Sequence, residues 1–368
     1  MMVADMISLA QTEKSYDPFI LEEFETAKLK IKLGTLEETI TGASGVGDDI
    51  VKEEIRENGL VANLFYPENC KTAPGVLHIN GSLNHIQDAR AIRLAREGFV
   101  VMEVGYNVQK YGNENFMKKN LLSLEYFESA AKTLLAHEKC YGDRLAVVGQ
   151  CKGADIALGF ASICPELVEL TVTQAGSIPA PIACDLSYGN NIFKKMELAA
   201  SADSLPLVTH LFTFTDDGFI SPTWGTFGVL HGPDDFLFKM DDEEKWQINY
   251  DEAAKIKQTG FPLKNIPKIF HFQPLDDPHL APSQAHSMEI SELFLEGLPN
   301  VQKLDFLHSG HMAVLPEVPV VTQSVMAYGP LKLLVKWSRN ETKEQKLKEA
   351  QEHRRLFDNI VSILKENM

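Results

Sequence analysis

Between residues 60 and 150 short apolar runs alternate with helical patterns, and this alternation limits the possible folds more than any other feature of the chain. "LVANLFYP" (Leu60–Pro67) alternates as a strand does, "APGVLHIN" (73–80) is a short buried run, and "DARAIRLAREG" (88–98) has helical spacing closed by Gly98. "FVVMEVGY" (99–106) reads as a strand, "LLSLEYFESAAKTLLAHE" (121–138) as a long helix and "RLAVVG" (144–149) as the next strand. A β-α-β-α-β order predicts an α/β fold, a mostly parallel sheet with helices on both faces. Later, "PKIFHFQPL" (267–275) and "VQKLDFLH" (301–308) read as strands around a helix near 287–295. The C-terminal "KEQKLKEAQEHRRLFDNIVSILKEN" is an amphipathic helix with Leu347, Phe357, Val361 and Leu364 as its expected buried stripe and its basic cluster as a solvated face.

Two segments break the pattern. Residues 1–66, with strand-like "AKLKIKLG" and the break "TGASGVGDD", lack helical periodicity and read as a small β element attached to an α/β body at 67–368. The stretch 185–265, containing "TDDG" and "SPTWGTFGVLHGPDD", has weak periodicity and is expected to be an insertion or lid.

With 368 residues and 44% hydrophobic content, the chain can bury a large core in one big domain or two. A net charge of -16 without a Lys/Arg cluster argues against a nucleic-acid partner. No apolar run approaches the length of a membrane span, and "MMVADMISLAQTEKSYDP" lacks the basic start and apolar core of a signal peptide. The five cysteines (Cys70, Cys140, Cys151, Cys164 and Cys184) include no C-x-x-C pair, which fits free thiols in a reducing, cytoplasmic setting and no structural zinc.

Within "RLAVVGQCKGADIALGFAS" (144–162), Gly149-Gln150-Cys151-Lys152-Gly153 has the form G-x-nucleophile-x-G between a strand and a helix, the context of a nucleophile elbow. The flanking glycines allow a tight turn that lifts the central side chain above the strand ends. A helix N-terminus beside it favours the thiolate, and the Lys152 amide would point to where an oxyanion forms. An isolated buried cysteine is more often inert. What favours chemistry is the order of its partners: an α/β-hydrolase fold carries nucleophile, acid and base in that sequence, each after a strand. "FHFQPLDDPHLAP" puts Asp276 and Asp277 after one strand, and "LDFLHSGHMAVLP" puts Gly310-His311 after the next. His311 would accept the thiol proton, and one of the aspartates would orient its ring. Asp277 is favoured over Asp276. His308 reads as the end of a strand, and His279 and His286 as surface or helix residues.

The runs "APGVLHINGSLNHIQDARAIRLAREGFVVMEVGYN" and "NLLSLEYFESAAKTLLAHEKCYGDRLAVVGQCKGADIALGFAS", with the "DD…GH" pair, resemble the C-terminal catalytic domain shared by type I acyl-CoA thioesterases and bile acid-CoA:amino acid N-acyltransferases. The resemblance spans roughly residues 58–368. It implies an α/β-hydrolase fold with a Cys151-Asp277-His311 triad, since the separation of Asp277 from His311 agrees with the family's acid-to-base spacing. It also implies that residues before 66 correspond to the last part of an immunoglobulin-like β-sandwich. Where the family has a glycine-rich turn after the third strand, this chain has Gly81-Ser82-Leu83-Asn84, so Ser82 would supply the second oxyanion amide beside Lys152.

Members that hydrolyse acyl-CoA typically carry serine at the elbow and amino acid N-acyltransferases carry cysteine. A thioester acyl-enzyme yields more readily to an amine than an oxygen ester does. Cys151 therefore points to acyl-CoA as substrate and to glycine, taurine or another amine as acceptor, with CoA entering as part of the substrate and no resident cofactor. Hydrolysis of acyl-CoA is the alternative in the same fold. A dienelactone hydrolase-like esterase and a non-catalytic lipid- or partner-binding relative are more distant ones. The peroxisomal tripeptide of some relatives is not matched by "KENM", which leaves the cytoplasm as the expected location.

Overall fold

A computed structural model of the chain describes residues 48–81, 86, 88–106, 121–176, 185–193, 247–278, 281, 283–312, 320, 337–340 and 342–368. It adds the backbone of strands at 27–33, 36–42, 117–118, 212–214, 220–222, 238–240, 246–248, 323–328 and 331–336. Eight strands form the central sheet: β1 Ile50–Glu57, β2 Leu60–Pro67, β3 Ala73–Ile79, β4 Val100–Val104, β5 Cys140–Gln150, β6 Val168–Gln174, β7 Ile269–Pro274 and β8 Val301–Phe306. Their order across the sheet is β1-β2-β4-β3-β5-β6-β7-β8. Strand β2 runs antiparallel to both neighbours, and every other pairing is parallel.

The interior strands are continuous apolar runs because both faces are covered. All five residues of β4 are buried, and so are all but one of the seven in β3. On one face, α1 (Asp88–Arg96) and α6 (Lys343–Asn367) pack Leu94, Leu356, Phe357 and Ile360 against Val76, Val101, Val148 and Val172. The other face is covered by α2 (Glu125–Leu135) and α3 (Lys152–Ile163), whose Phe127, Leu134, Ile156 and Phe160 meet Leu77, Met102 and Val147. Helix α1 starts with Asp88 and ends in basic residues, matching the helix dipole, and Gly98 at φ +101° turns the chain out of it. A capping box at Thr342 and Gln345 starts α6.

Four expectations change. The boundary at residue 66 moves, because Ile50–Glu57 and Leu60–Pro67 form an antiparallel pair at the edge of the central sheet and thus belong to the α/β body. Before them the described residues show one hairpin, Ala27–Leu33 with Leu36–Gly42, and not a sandwich. The helix expected over 121–138 is shorter, because Leu121–Ser123 pairs as a strand with Asp185–Tyr188. The lid expected at 185–265 also ends earlier. Helix α4 (Tyr250–Thr259) and the turn after it bury Ala253, Ile256, Phe261 and Leu263 in the main core, so this part is the crossover from β6 to β7. Most of 194–245 lies outside the described residues.

Of the expected stripe on α6, Phe357, Val361 and Leu364 are buried and Leu347 is half-buried, while the buried face also holds Glu349, Glu352 and His353. Among the described residues no helix is long and apolar enough to cross a membrane. The four described cysteines are free thiols, and Cys184 lies outside the described residues.

Candidate active site

Strand β5 ends at Gln150, and α3 begins at Lys152, so Cys151 is the entire turn between them. Its backbone sits at φ 54°, ψ -126°, a conformation that costs a non-glycine residue on the order of 1–3 kcal/mol. Neighbouring contacts hold it there: its N–H donates to Gln174 O at 2.9 Å and its carbonyl accepts from Ala154 N–H at 2.9 Å. The two glycines are required by close approach. A Cβ on Gly149 would lie 2.3 Å from Gly153 O, and one on Gly153 would lie 2.0 Å from Ile79 O. The strand-to-helix turn therefore packs directly on the end of β3, and the thiol is left half-buried at the rim of the sheet.

The residues expected as base and acid, His311 and Asp277, reach this rim from the last two strands. After β8, His311 is buried at 6% exposure, and its Nδ1 lies 2.7 Å from Oδ2 of the fully buried Asp277, which follows β7. The imidazole also hydrogen-bonds the Cys151 thiol. Burial works against its charged form, but Asp277 and Cys151 outweigh burial and hold the ring pKa well above the usual 6.5. The backbone N–H of His311 donates to Trp337 O at 2.7 Å, and the ring stacks on the Trp337 indole at 5.9 Å between centroids.

Cys151, His311 and Asp277 are thus in one hydrogen-bonded chain, while Asp276 turns away from it. The side chain of Asp276 meets Gln284 Nε2 at 3.3 Å, and burial, with Glu349 nearby, pushes its carboxyl up to about 6 against the pull of Arg339. His308 is in the turn after β8, where its N–H donates to Glu352 Oε2 at 2.7 Å. His286 lies in the first turn of α5 (Gln284–Leu295), paired with Ser283, and His279 is outside the described residues.

Of the two expected oxyanion donors, Lys152 is the first residue of α3, where backbone amides have no intrahelical acceptor. Its side chain is buried with Nζ 5.7 Å from the centre of the Tyr106 ring. Ser82 lies outside the described residues. The residue before it, Gly81, passes close to Cys151: a Cβ there would stand 3.1 Å from Cys151 Cβ and 3.6 Å from Sγ. The Tyr106 hydroxyl fixes this loop by donating to Asn80 O at 2.5 Å and Gly81 O at 3.0 Å. Beneath it, Glu103 binds both His78 and, at 2.6 Å, the Asn80 amide.

Sequence reasoning did not find Trp337, Glu349, Glu103 or Tyr106. For Glu349 a signal existed, since a carboxylate falls on the apolar stripe of α6. Trp337 is brought beside His311 by the hairpin Gln323–Tyr328 with Leu331–Lys336, a long-range return that local periodicity does not encode. Among the described residues no group of three His, Cys, Asp or Glu side chains could hold a metal ion.

An eight-stranded sheet of this order, with a strained residue at the β5–α3 turn, defines the class of α/β-hydrolase folds. Within that class the chain belongs to the family described as BAAT / acyl-CoA thioester hydrolase C terminal, whose sequence model matches residues 122–335. It is similar to the rat acyl-coenzyme A amino acid N-acyltransferase 2, at 32% identity over 42% of this chain and 35% of the relative. The human bile acid-CoA:amino acid N-acyltransferase is 30% identical over 36% of this chain and 31% of its own. Mouse acyl-coenzyme A thioesterase 3 is 27% identical over 62% of this chain and 52% of its own. The chain thus spans about a third to a half of these relatives. Among solved structures, the hypothetical protein PA2218 of Pseudomonas aeruginosa aligns with 88% of this chain and 96% of its own, at 14% identity and a TM-score of 0.47.

Proposed function

We propose that the chain is an acyl-CoA-dependent acyltransferase that carries the acyl group as a thioester on Cys151 and passes it to an amino acid amine of the glycine or taurine type. The observation that carries this reading is a cysteine, rather than a serine, at the strained apex of the elbow, hydrogen-bonded to an imidazole that is itself paired with a buried carboxylate. Relatives named as amino acid N-acyltransferases and as thioesterases both support acyl-CoA thioester chemistry.

In this mechanism His311 holds the thiol proton, and Cys151 Sγ attacks the thioester carbonyl. The amide of Lys152 at the start of α3 is the proposed donor to the developing oxyanion, and Ser82 keeps its place as the expected second donor. The C–S bond to CoA breaks, and CoA leaves as the thiol with the proton from His311. An amine then attacks the acyl-enzyme and gives a proton to His311. The bond to Cys151 breaks, releasing the N-acyl amino acid and regenerating the thiol–imidazole pair. Asp277 keeps the ring oriented and favours its charged form throughout.

The second reading, hydrolysis, differs only in water taking the place of the amine, and relatives named as thioesterases favour it. Mass spectrometry of products from a fatty acyl-CoA and a bile acyl-CoA, with and without glycine or taurine, separates the two. An N-acyl amino acid that disappears in Cys151→Ala supports acyl transfer. Free acid and CoA alone, again lost in Cys151→Ala, support the thioesterase.

A further inference from the structure

We propose that Glu349, on α6, is a positioning residue for the base: its buried carboxylate fixes the backbone beside His311 and so sets the distance from imidazole to thiol. The inference rests on the reading of His311 as the base that serves Cys151.

Glu349 is 1% exposed, yet three donors converge on it. Its Oε1 accepts from the Gly310 N–H at 3.1 Å, and its Oε2 accepts from the Ser338 hydroxyl at 2.9 Å and the Asn340 amide at 2.9 Å. These donors come from the two segments that flank the imidazole. One is the base loop itself, and the other begins at Trp337, which takes the His311 N–H and stacks on its ring. The Asn340 amide ties the segments together a second time by donating to His308 O at 2.8 Å. One turn further along α6, Glu352 receives the His308 N–H, so the helix holds both ends of the 308–310 turn.

The fit is tight. A Cβ on Gly310 would lie 2.3 Å from Ser338 Cβ, 2.5 Å from Trp337 O and 2.9 Å from Glu349 Oε1. Glycine at 310 is therefore what lets the carboxylate reach the backbone. His353, a further buried polar group of α6, stands 3.7 Å from Oε1, beyond hydrogen-bonding range. An apolar side chain could fill the same space without the cost of burying a carboxylate. What the carboxylate adds is direction: three hydrogen bonds specify where residues 308–311 lie relative to 337–340. A general base displaced by about 1 Å loses much of its effect, so this geometry bears on rate.

The test uses the full chain with the substitutions Glu349→Gln and Asn340→Ala, and Glu344→Gln at the exposed start of α6 as a control. A glutamine has the same volume, but its amide nitrogen cannot accept from Asn340. Two quantities are read: kcat and KM for CoA release from acyl-CoA, and the iodoacetamide labelling rate of Cys151 relative to Cys70. The second needs no substrate, and protection of the buried Cys164 reports that the fold is intact. Glu349→Gln is expected to lower kcat about tenfold or more, part of the 10²–10⁴ that a positioned base contributes, with KM within about twofold. The Cys151 labelling ratio falls with it, and Asn340→Ala gives the same pattern at about threefold. Should Cys164 become labelled in Glu349→Gln, Asn340→Ala decides. Folded variants with kcat and labelling ratio within about twofold of the wild type would overturn the proposal. If Cys151→Ala still releases CoA, the active-site reading fails and takes this inference with it. If Cys151→Ala is inactive and the Glu349 and Asn340 variants are not, only the positioning role fails.

Discussion

His311 Nδ1 and Asp277 Oδ2 lie 2.7 Å apart across 34 residues of sequence, joining the loops that follow β8 and β7. Because Asp277 is fully buried, its carboxylate acts on the ring at short range with little screening by water. Replacing it by asparagine keeps the shape and removes the charge. Asp277→Asn is expected to reduce kcat for CoA release by on the order of 10³-fold or more, whereas Asp276→Asn, outside the hydrogen-bonded chain, should stay within about tenfold. Steady-state kinetics of the two variants side by side decide between the aspartates.

The same pair sets a dependence of stability on pH. The His311 pKa is raised in the folded chain above about 6.5, its unfolded value, so its contribution is fully present below that pH and is lost as pH rises through the folded value. The stability advantage of the wild type over His311→Gln should therefore shrink from pH 6 towards pH 9, as read by thermal unfolding of both proteins.

Asp276 works in the opposite sense. Burial raises its carboxyl from the ordinary 3.8 to about 6, so the folded chain holds this proton more tightly than the unfolded one. The resulting penalty is absent below about pH 4, grows through the interval and is complete above about pH 6, at most about 3 kcal/mol. Denaturant unfolding should show Asp276→Asn gaining stability relative to the wild type between pH 4 and pH 7. A constant difference would contradict this.

The elbow separates stability from chemistry. Cys151→Gly removes the Cβ from a positive-φ position and should stabilise the fold by about 1 kcal/mol while abolishing the proposed acyl transfer. Gly153→Ala should do the reverse damage: its Cβ would be driven to 2.0 Å from Ile79 O, a backbone atom that cannot give way, so a loss of at least about 3 kcal/mol is expected. Differential scanning calorimetry of both variants checks the two signs.

Much of this arrangement is legible in the sequence because it depends on local features. Apolar runs of β3, β5 and β7, the glycines around Cys151 and the turn residues after β7 each announce themselves within a few positions. The preference for Asp277 over Asp276 came from the turn and from the acid-to-base spacing of the family it resembles; in the fold it is Asp277 that hydrogen-bonds His311. The boundary at 66 was missed because β1 and β2 form an antiparallel pair that looks the same in sequence whether it belongs to a sandwich or to the edge of the α/β sheet. The surroundings of His311 were missed for a different reason. Trp337, Ser338 and Asn340 return to His311 through a hairpin, and Glu349 through a helix, so their roles depend on contacts among segments far apart in sequence.

Acylation of Cys151 is read by peptide-mapped mass spectrometry of the protein quenched shortly after mixing with an acyl-CoA, followed by a chase with glycine or taurine. A thioester-linked acyl group on the peptide containing Cys151, discharged to the amine in the chase, is the predicted result. CoA release that proceeds with Cys151 never acylated, and undiminished in Cys151→Ala, would rule out Cys151 as the acyl carrier.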